Sequence, residues 1–260
     1  LFIEIGLREI VMGRVFEKQY EINYYNLDNS LKCKITSILD FFCDIGMQQS
    51  EELGVGVDSL TGRNLTWVFY KYNINMKRYP RYGEKIKIIT DPIGFKKFYA
   101  FRDYTILDEA DKIIGEGKSL FFLIDLAKRR PARIPRDLYE AYGCADEIKD
   151  NPTIVDPEKL EEDQYFREFY VRRSDIDSNK HVNNTKYVEW ALEVIPDEIV
   201  DEYELDNISI IYSKEITYGH MVKTKCSVHN EENGVIKIRH LIQDDEGRDI
   251  TLINTFWRKN

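Results

Sequence analysis

One pattern runs through this chain twice, and few folds can accommodate it. A strand-like run, a polar turn, a helical stretch and several further strands begin at Val15 and begin again at Tyr165. Phe16 to Ile22 matches Tyr165 to Val171 in its alternation, which sets Asp28 on Asp177, Ser30 on Asn179 and Lys32 on His181. Farther on, Tyr72 to Ile88 matches Ile208 to Thr224, with Tyr79 on Glu215 and Gly83 on Gly219. A helix followed by strands of period two, repeated, predicts an α+β chain in which each half covers one helix with an antiparallel sheet.

In the first half, alternation predicts a strand over Val15 to Tyr25, and helical spacing of Ile35, Ile38, Leu39, Phe42 and Ile45 predicts a helix over Cys33 to Leu53. Gly54 and Gly56 stop it. Strands follow over Thr66 to Arg78, Glu84 to Ile93, Phe98 to Leu107 and Lys112 to Asp125. In the second half a strand is expected over Tyr165 to Arg173 and a helix from Asn183 to Val194, stopped by Pro196. Four strands follow, near Asn207 to Thr217, Met221 to Asn230, Val235 to Asp244 and Asp249 to Arg258. Two domains, 12–130 and 164–260, are then joined by a linker over 131–163 that is basic at its start and acidic at its end. A stretch that long predicts some helix inside it, around Pro135 to Tyr142. Leu1 to Val11 reads as a short helix, an upstream extension or an appended stretch.

With 46 acidic and 37 basic residues, the net charge of −9 argues against a polyanion such as nucleic acid as partner. The basic run Lys128, Arg129, Arg130, Arg133 and Arg136 is a local exception. Cys33, Cys43, Cys144 and Cys226 are too far apart for a structural zinc site, so no metal is expected and a reducing cytoplasm is the expected setting. No run is apolar enough to span a membrane. There is no Gly-x-Ser-x-Gly elbow and no Gly-rich phosphate loop, so no serine nucleophile and no nucleotide or other cofactor is expected.

The chemistry concentrates in the polar loop from Asp175 to Asn184. His181 is the first candidate base, since imidazole is the side chain best suited to moving a proton in water near neutral pH. Asn179 and Asp177 precede it at alternate positions, which in an extended turn face one cleft. Asn183 and Asn184 stand at the helix start, where they serve as caps or face a ligand, and the unpaired N–H groups there offer an oxyanion site. Glu215 is the second candidate, an acid interrupting the apolar strand Ile208 to Ile216, with pairing to Lys214 as the plainer alternative. The first repeat has Lys32 and Tyr79 at these positions, so only the second can hold a histidine–carboxylate site. The aromatic residues Phe41, Phe42, Trp67 and Phe69 either line an apolar slot or fill a core.

The run Arg172 to Tyr187, together with Trp67-Val68, Tyr79-Pro80-Arg81-Tyr82-Gly83-Glu84 and Tyr212-Ser213-Lys214-Glu215, resembles the acyl-acyl carrier protein thioesterases of fatty acid synthesis. The resemblance extends from Val15 to Trp257. It implies a double hotdog: two repeats of an antiparallel sheet wrapped around a long helix. It implies hydrolysis of the thioester that joins a fatty acyl chain to the phosphopantetheine arm of acyl carrier protein. By that resemblance Asp177, Asn179, His181 and Glu215 form the catalytic set, and the first repeat holds the acyl chain, with Trp67, Phe42 and Asn183 as substrate-binding residues. Where the family often has a cysteine after the glutamate, this chain has Ile216, which points to attack by water. The basic run Lys128 to Arg136 is a candidate docking surface for the carrier. An acyl-CoA thioesterase and a non-catalytic acyl- or carrier-binding module are the alternatives, and both monomer and homodimer are compatible with two fused repeats.

Overall fold

The computed structural model describes residues 14–144, 146–149 and 151–259. Leu1 to Val11 lies outside them.

The first repeat contributes β1 (Phe16–Glu21), α1 (Ile35–Glu52), α2 (Val57–Thr61), β2 (Leu65–Met76), β3 (Lys85–Lys96), β4 (Tyr99–Leu107) and β5 (Ile113–Asp125). A connecting stretch carries β6 (Arg130–Pro131) and α3 (Arg136–Tyr142). The second repeat contributes β7 (Tyr165–Tyr170), α4 (Asn184–Leu192), α5 (Asp197–Glu202), β8 (Tyr203–Tyr212), β9 (Met221–Asn230), β10 (Ile236–Asp244) and β11 (Asp249–Lys259). α2, α5 and β6 are too short to leave a periodic signature and were not anticipated.

All the strands join one antiparallel sheet in the order β1-β3-β4-β5-β2-β8-β11-β10-β9-β7, with β6 beside β5. The order within the first repeat, 1-3-4-5-2, recurs in the second as 7-9-10-11-8. The halves meet where β2 pairs with β8, Asn73 standing opposite Ser209. These are also corresponding positions of the repeat, so a pseudo-twofold axis passes between them. The Asn73 Nδ2 donates to Ser209 Oγ at 2.8 Å across it.

One apolar core runs across the junction. α1 buries Ile35, Ile38, Leu39, Phe42 and Ile45, α4 buries Tyr187, Val188, Trp190 and Ala191, and both pack over Tyr72, Ile74, Ile208 and Ile210 of the central strands. Burial of such side chains at roughly 1.5–3 kcal/mol each makes this the main source of stability. A second, smaller cluster groups Val55, Leu60, Phe95, Leu123 and Leu138, with Trp67 and Phe121 partly buried against it.

On the opposite face of the sheet the acidic end of the linker is tied down by charge. Asp156 pairs with Lys71, Glu158 with both Lys237 and Arg239, and Asp163 with Lys225 at 3.3 Å. Lys237 and Arg239 alternate with Ile236 and Ile238, which face the core. Period-two alternation therefore points the two cations outward beneath the strap.

Candidate active site

Both repeats build the same loop before their helix. In the second, a single 3-10 turn at Arg173–Asp175 is closed by Asp175, whose carboxylate accepts the Arg172 N–H at 2.8 Å. The chain then reverses: Asp177 N–H donates to His181 O, and Lys180 N–H to Asp177 O, with Lys180 at φ 67. Asp177 Oδ1 accepts the backbone N–H of Asn179 at 2.8 Å and of His181 at 3.3 Å, and Asn179 Nδ2 donates to Asp177 Oδ2 at 3.4 Å. In the first repeat Asp28 does the same for Ser30 and Lys32, with Leu31 at φ 61. The three polar side chains thus sit on a tight Asp-capped turn and not on the extended turn anticipated. The preceding strands are correspondingly shorter than their alternation suggested, ending at Glu21 and Tyr170.

Glu215 does not lie in a strand. β8 stops at Tyr212, because the N–H groups of Ser213 and Lys214 both turn to the carbonyl of Ile250. The segment after the bend is pinned on both sides of the peptide: Val182 N–H donates to Ile216 O at 2.8 Å, and Ile216 N–H donates to Tyr187 Oη at 3.3 Å. That places Glu215 Oε2 3.4 Å from His181 Nε2. Both side chains are partly solvent-exposed, and among the described residues no ion pair within 4.0 Å links Glu215 to Lys214, so Glu215 approaches the histidine across the loop instead. A 3.4 Å separation is long for a hydrogen bond, as is common in a site awaiting substrate.

Tyr187 is the residue sequence reasoning passed over. It is almost fully buried on α4, and its aromatic ring at helical spacing reads as core packing. Burial pushes its phenol well above the ordinary tyrosine range, the Ile216 N–H opposes this, and the negative charges of Glu215 and Asp177 add to it. The first repeat has Ile38 at this position and Pro80, which has no N–H, in place of Ile216. Replacing Tyr187 by Phe releases the Glu215 segment without emptying the core. We expect kcat to drop about tenfold with KM nearly unchanged, the pattern of a lost transition-state contribution. Steady-state kinetics and a thermal melt of the variant check this.

The other candidates fall in different places. Asn183 is the N-cap of α4, its Oδ1 accepting from Thr185 N at 3.0 Å and Thr185 Oγ1 at 3.0 Å. Asn184 serves the framework through its carbonyl, which accepts the Tyr212 hydroxyl at 3.2 Å. Of the first helical N–H groups, Thr185 bonds to Asn183 Oδ1 and Lys186 to Asn183 O, while that of Asn184 has no partner among the described residues. Phe42 lies in the main core, stacked on Tyr104 with ring centroids 4.1 Å apart. Gly117 leaves room for its ring, since a Cβ there would come within 2.5 Å. Trp67 is partly buried against the second cluster beside Phe95, so the two proposed acyl contacts belong to different apolar clusters.

Cys43 of α1 is the thiol nearest in character to a rival nucleophile. Burial, with the charges of Asp40, Asp44 and Asp177 adding, pushes it up to about 11, so it stays protonated at neutral pH. In the basic stretch, Lys128 pairs with Asp125, Arg133 with Glu147 and Arg136 with Asp146, which neutralises most of the anticipated docking surface.

Models of the two halves of one family match this chain in tandem: the acyl-ACP thioesterase N-terminal domain over residues 13–142 and its C-terminal domain over residues 158–259. The chain belongs to the acyl-ACP thioesterase family. It is 25% identical over 263 residues to the chloroplastic dodecanoyl-[acyl-carrier-protein] hydrolase of Cinnamomum camphora, covering 95% of this chain and 68% of that one. It is 26% identical to the chloroplastic acyl-[acyl-carrier-protein] hydrolase FATB1 of Cuphea viscosissima, covering 98% of this chain and 64% of that one. The chain thus spans about two thirds of the length of these plant relatives. Among solved structures, a putative oleoyl thioesterase from Lactobacillus plantarum superposes with a TM-score of 0.91 at 24% identity, covering 95% of this chain and 97% of that one. The 12:0-ACP thioesterase of Umbellularia californica gives 0.82 at 24% identity, covering 95% and 94%. The double hotdog expected from the sequence is therefore the fold of this acyl-ACP thioesterase family member.

Proposed function

We propose that this protein hydrolyses the thioester of fatty acyl-acyl carrier protein, releasing the free acid and ending chain elongation. The observation that carries the reading is the His181–Glu215 pair, 3.4 Å apart at the start of α4 in one repeat only. Glu215, with His181, takes a proton from water as the water oxygen bonds to the thioester carbon. The tetrahedral oxyanion is held by backbone donors at the helix start, for which the Asn184 N–H is the open candidate. Collapse breaks the C–S bond, and the proton passes to the departing phosphopantetheine sulfur. Asn179 positions water or substrate, and Asp177 fixes Asn179 and His181 through their backbone N–H groups. Two coupled groups share the role of base.

The first repeat is proposed to hold the acyl chain, which favours burial at about 0.8 kcal/mol per methylene and gives the protein a means of measuring length. Four free cysteines fit a reducing cytoplasm as the proposed location. An acid-release assay across a ladder of acyl-carrier thioesters tests the reading, with matched acyl-CoA substrates run alongside. Higher kcat/KM on the carrier substrates is expected. Preference for the acyl-CoA series would favour a CoA-directed enzyme, and absence of cleavage in both series would favour a binding module.

A further inference from the structure

The two repeats share one loop scaffold, so the silent one serves as an internal control for the surface around the active one. Three exposed cations flank His181 and Glu215 along the chain: Arg173 on the 3-10 turn that opens the loop, Lys180 next to His181, and Lys214 next to Glu215. None has a carboxylate within 4.0 Å among the described residues, whereas most cations elsewhere on this acidic chain are paired. At the corresponding positions the silent repeat has Tyr24, Leu31 and Arg78. The first two are uncharged, and Arg78 is neutralised by Glu84 at 2.8 Å and Asp108 at 3.1 Å. At these three matched positions, unpaired positive charge is therefore present in the active loop and absent from the silent one, although Lys34 and Arg81 of the silent repeat also lack a carboxylate within 4.0 Å among the described residues.

An apolar strip continues from that rim. The Arg173 guanidinium stacks 4.5 Å from the centre of the Tyr218 ring, and Tyr218 meets Tyr170 edge-on at 6.4 Å. Tyr170 pairs with Met221 across β7 and β9. Tyr170, Tyr218 and Met221 are all exposed, at 51%, 44% and 39%. β7 is the outermost strand on this side of the sheet, and among the described residues no further strand pairs with it beyond β9.

We infer that Arg173, Lys180 and Lys214, with the Tyr170–Tyr218–Met221 strip, form the surface on which an acidic carrier protein docks to deliver its phosphopantetheine-linked thioester to His181 and Glu215. The inference rests on the thioesterase reading above. It assigns docking to the loop rim in place of the Lys128–Arg136 stretch, most of whose cations already have partners. The chemistry fits a protein better than a small thiol carrier. A net charge of −9 repels anions in general, and screening confines the attraction of these exposed cations to roughly 8–10 Å at physiological salt. Only an anionic partner seated on the rim feels it, and an apolar strip two strands wide adds contact that a free cofactor arm has no surface to use.

The test compares acyl-carrier protein with acyl-pantetheine of the same chain length, so that any change in the chemical step cancels in the ratio of their kcat/KM values. The variants are Arg173→Glu with Lys180→Glu, and separately Arg129→Glu with Arg130→Glu. The rim pair is expected to lower the ratio about tenfold or more, and the loss to shrink as salt is raised toward about 0.5 M, as for steering by rim charges. The linker pair is expected to leave it unchanged. A rim variant whose ratio stays within about twofold of wild type, or a larger loss in the linker variant, overturns the assignment. Acyl-CoA of the same length forms a third arm; a loss there equal to that on the carrier would assign the rim to the phosphorylated arm and also overturn it. Failure of the thioesterase reading shows differently, as no acid released by wild type from any substrate. Fluorescently labelled holo-carrier protein would then read docking directly, by anisotropy, with binding to wild type and not to the rim variant upholding the surface and equal binding rejecting it.

Discussion

Replacing His181 by Ala lowers kcat for thioester hydrolysis by about two to four orders of magnitude, the range that a positioned general acid–base contributes. Glu215→Gln, which keeps the shape and removes the charge, falls by a comparable factor. The double variant is the sharper measurement. If the two side chains act as one proton-transfer unit, it loses scarcely more than the worse single variant, because groups that act together are strongly non-additive. Multiplying losses would mean that the two act separately and that their 3.4 Å approach is incidental. Neither substitution should disturb folding. Both side chains are partly in water, and exposed ion pairs contribute about 0–1 kcal/mol. The thermal midpoint of each variant therefore stays near that of wild type, which separates a catalytic loss from an unfolded sample.

The sequence reveals this site unevenly, and the reasons are physical. The polar run around His181 stands out because its composition suits neither a core nor an ordinary helix start. The long helix was bounded to within two residues, since Ile35, Ile38, Leu39, Phe42 and Ile45 fix both its period and its buried face. Glu215 was found but misplaced. The alternation through Ile208 to Tyr212 carries on past the point where the strand bends, and the bend comes from the Ile250 carbonyl on β11, a tertiary partner that local pattern cannot show. Tyr187 is hidden for a related reason: its ring packs in the core, and only its hydroxyl reaches the segment that carries Glu215. Charge was read as composition alone. In sequence the basic linker run is a candidate docking surface, and the structure pairs three of its five cations, Lys128 with Asp125, Arg133 with Glu147 and Arg136 with Asp146.

The fate of the first repeat follows from the same comparisons. With Lys32 for histidine and Tyr79 for glutamate it has neither base nor carboxylate. Lys32 instead reaches across to Glu204 of β8 at 2.5 Å, and Arg258 of β11 links Asp206 at 3.1 Å to the carbonyl of Lys77 at 2.7 Å. Tyr79 is buried with no hydrogen-bond partner for its hydroxyl among the described residues. The corresponding place in the first repeat is part of the seam between the repeats. On one side of the pseudo-twofold axis these positions are tied into an inter-repeat ion-pair network, while on the other His181 and Glu215 are partly open to solvent.

Lowering the pH from 7 to 4 should destabilise this protein by about 3 kcal/mol through one residue far from the chemistry, His240. It lies fully buried on the core face of β10, its Nε2 3.0 Å from Thr255 Oγ1 and its Nδ1 without a partner. Tyr104 and Ser119 hold the corresponding places in the first repeat, so an uncharged pair fits this position. Burial pushes the imidazole down to about 3, against about 6.5 for the unfolded chain. The folded state then binds fewer protons than the unfolded state between those values. The stability associated with a neutral His240 is therefore complete above about pH 6.5 and is lost progressively as the pH falls toward 3. His240→Gln removes the titration while keeping a donor and an acceptor near Thr255. Urea denaturation of wild type and variant at both pH values isolates the effect, since all other titrating groups are common to the two. Wild type should lose about 3 kcal/mol more than His240→Gln over that range. Parallel losses in the two proteins would mean that the buried imidazole accepts a proton without cost, and that its Nδ1 finds a partner which the folded core does not display.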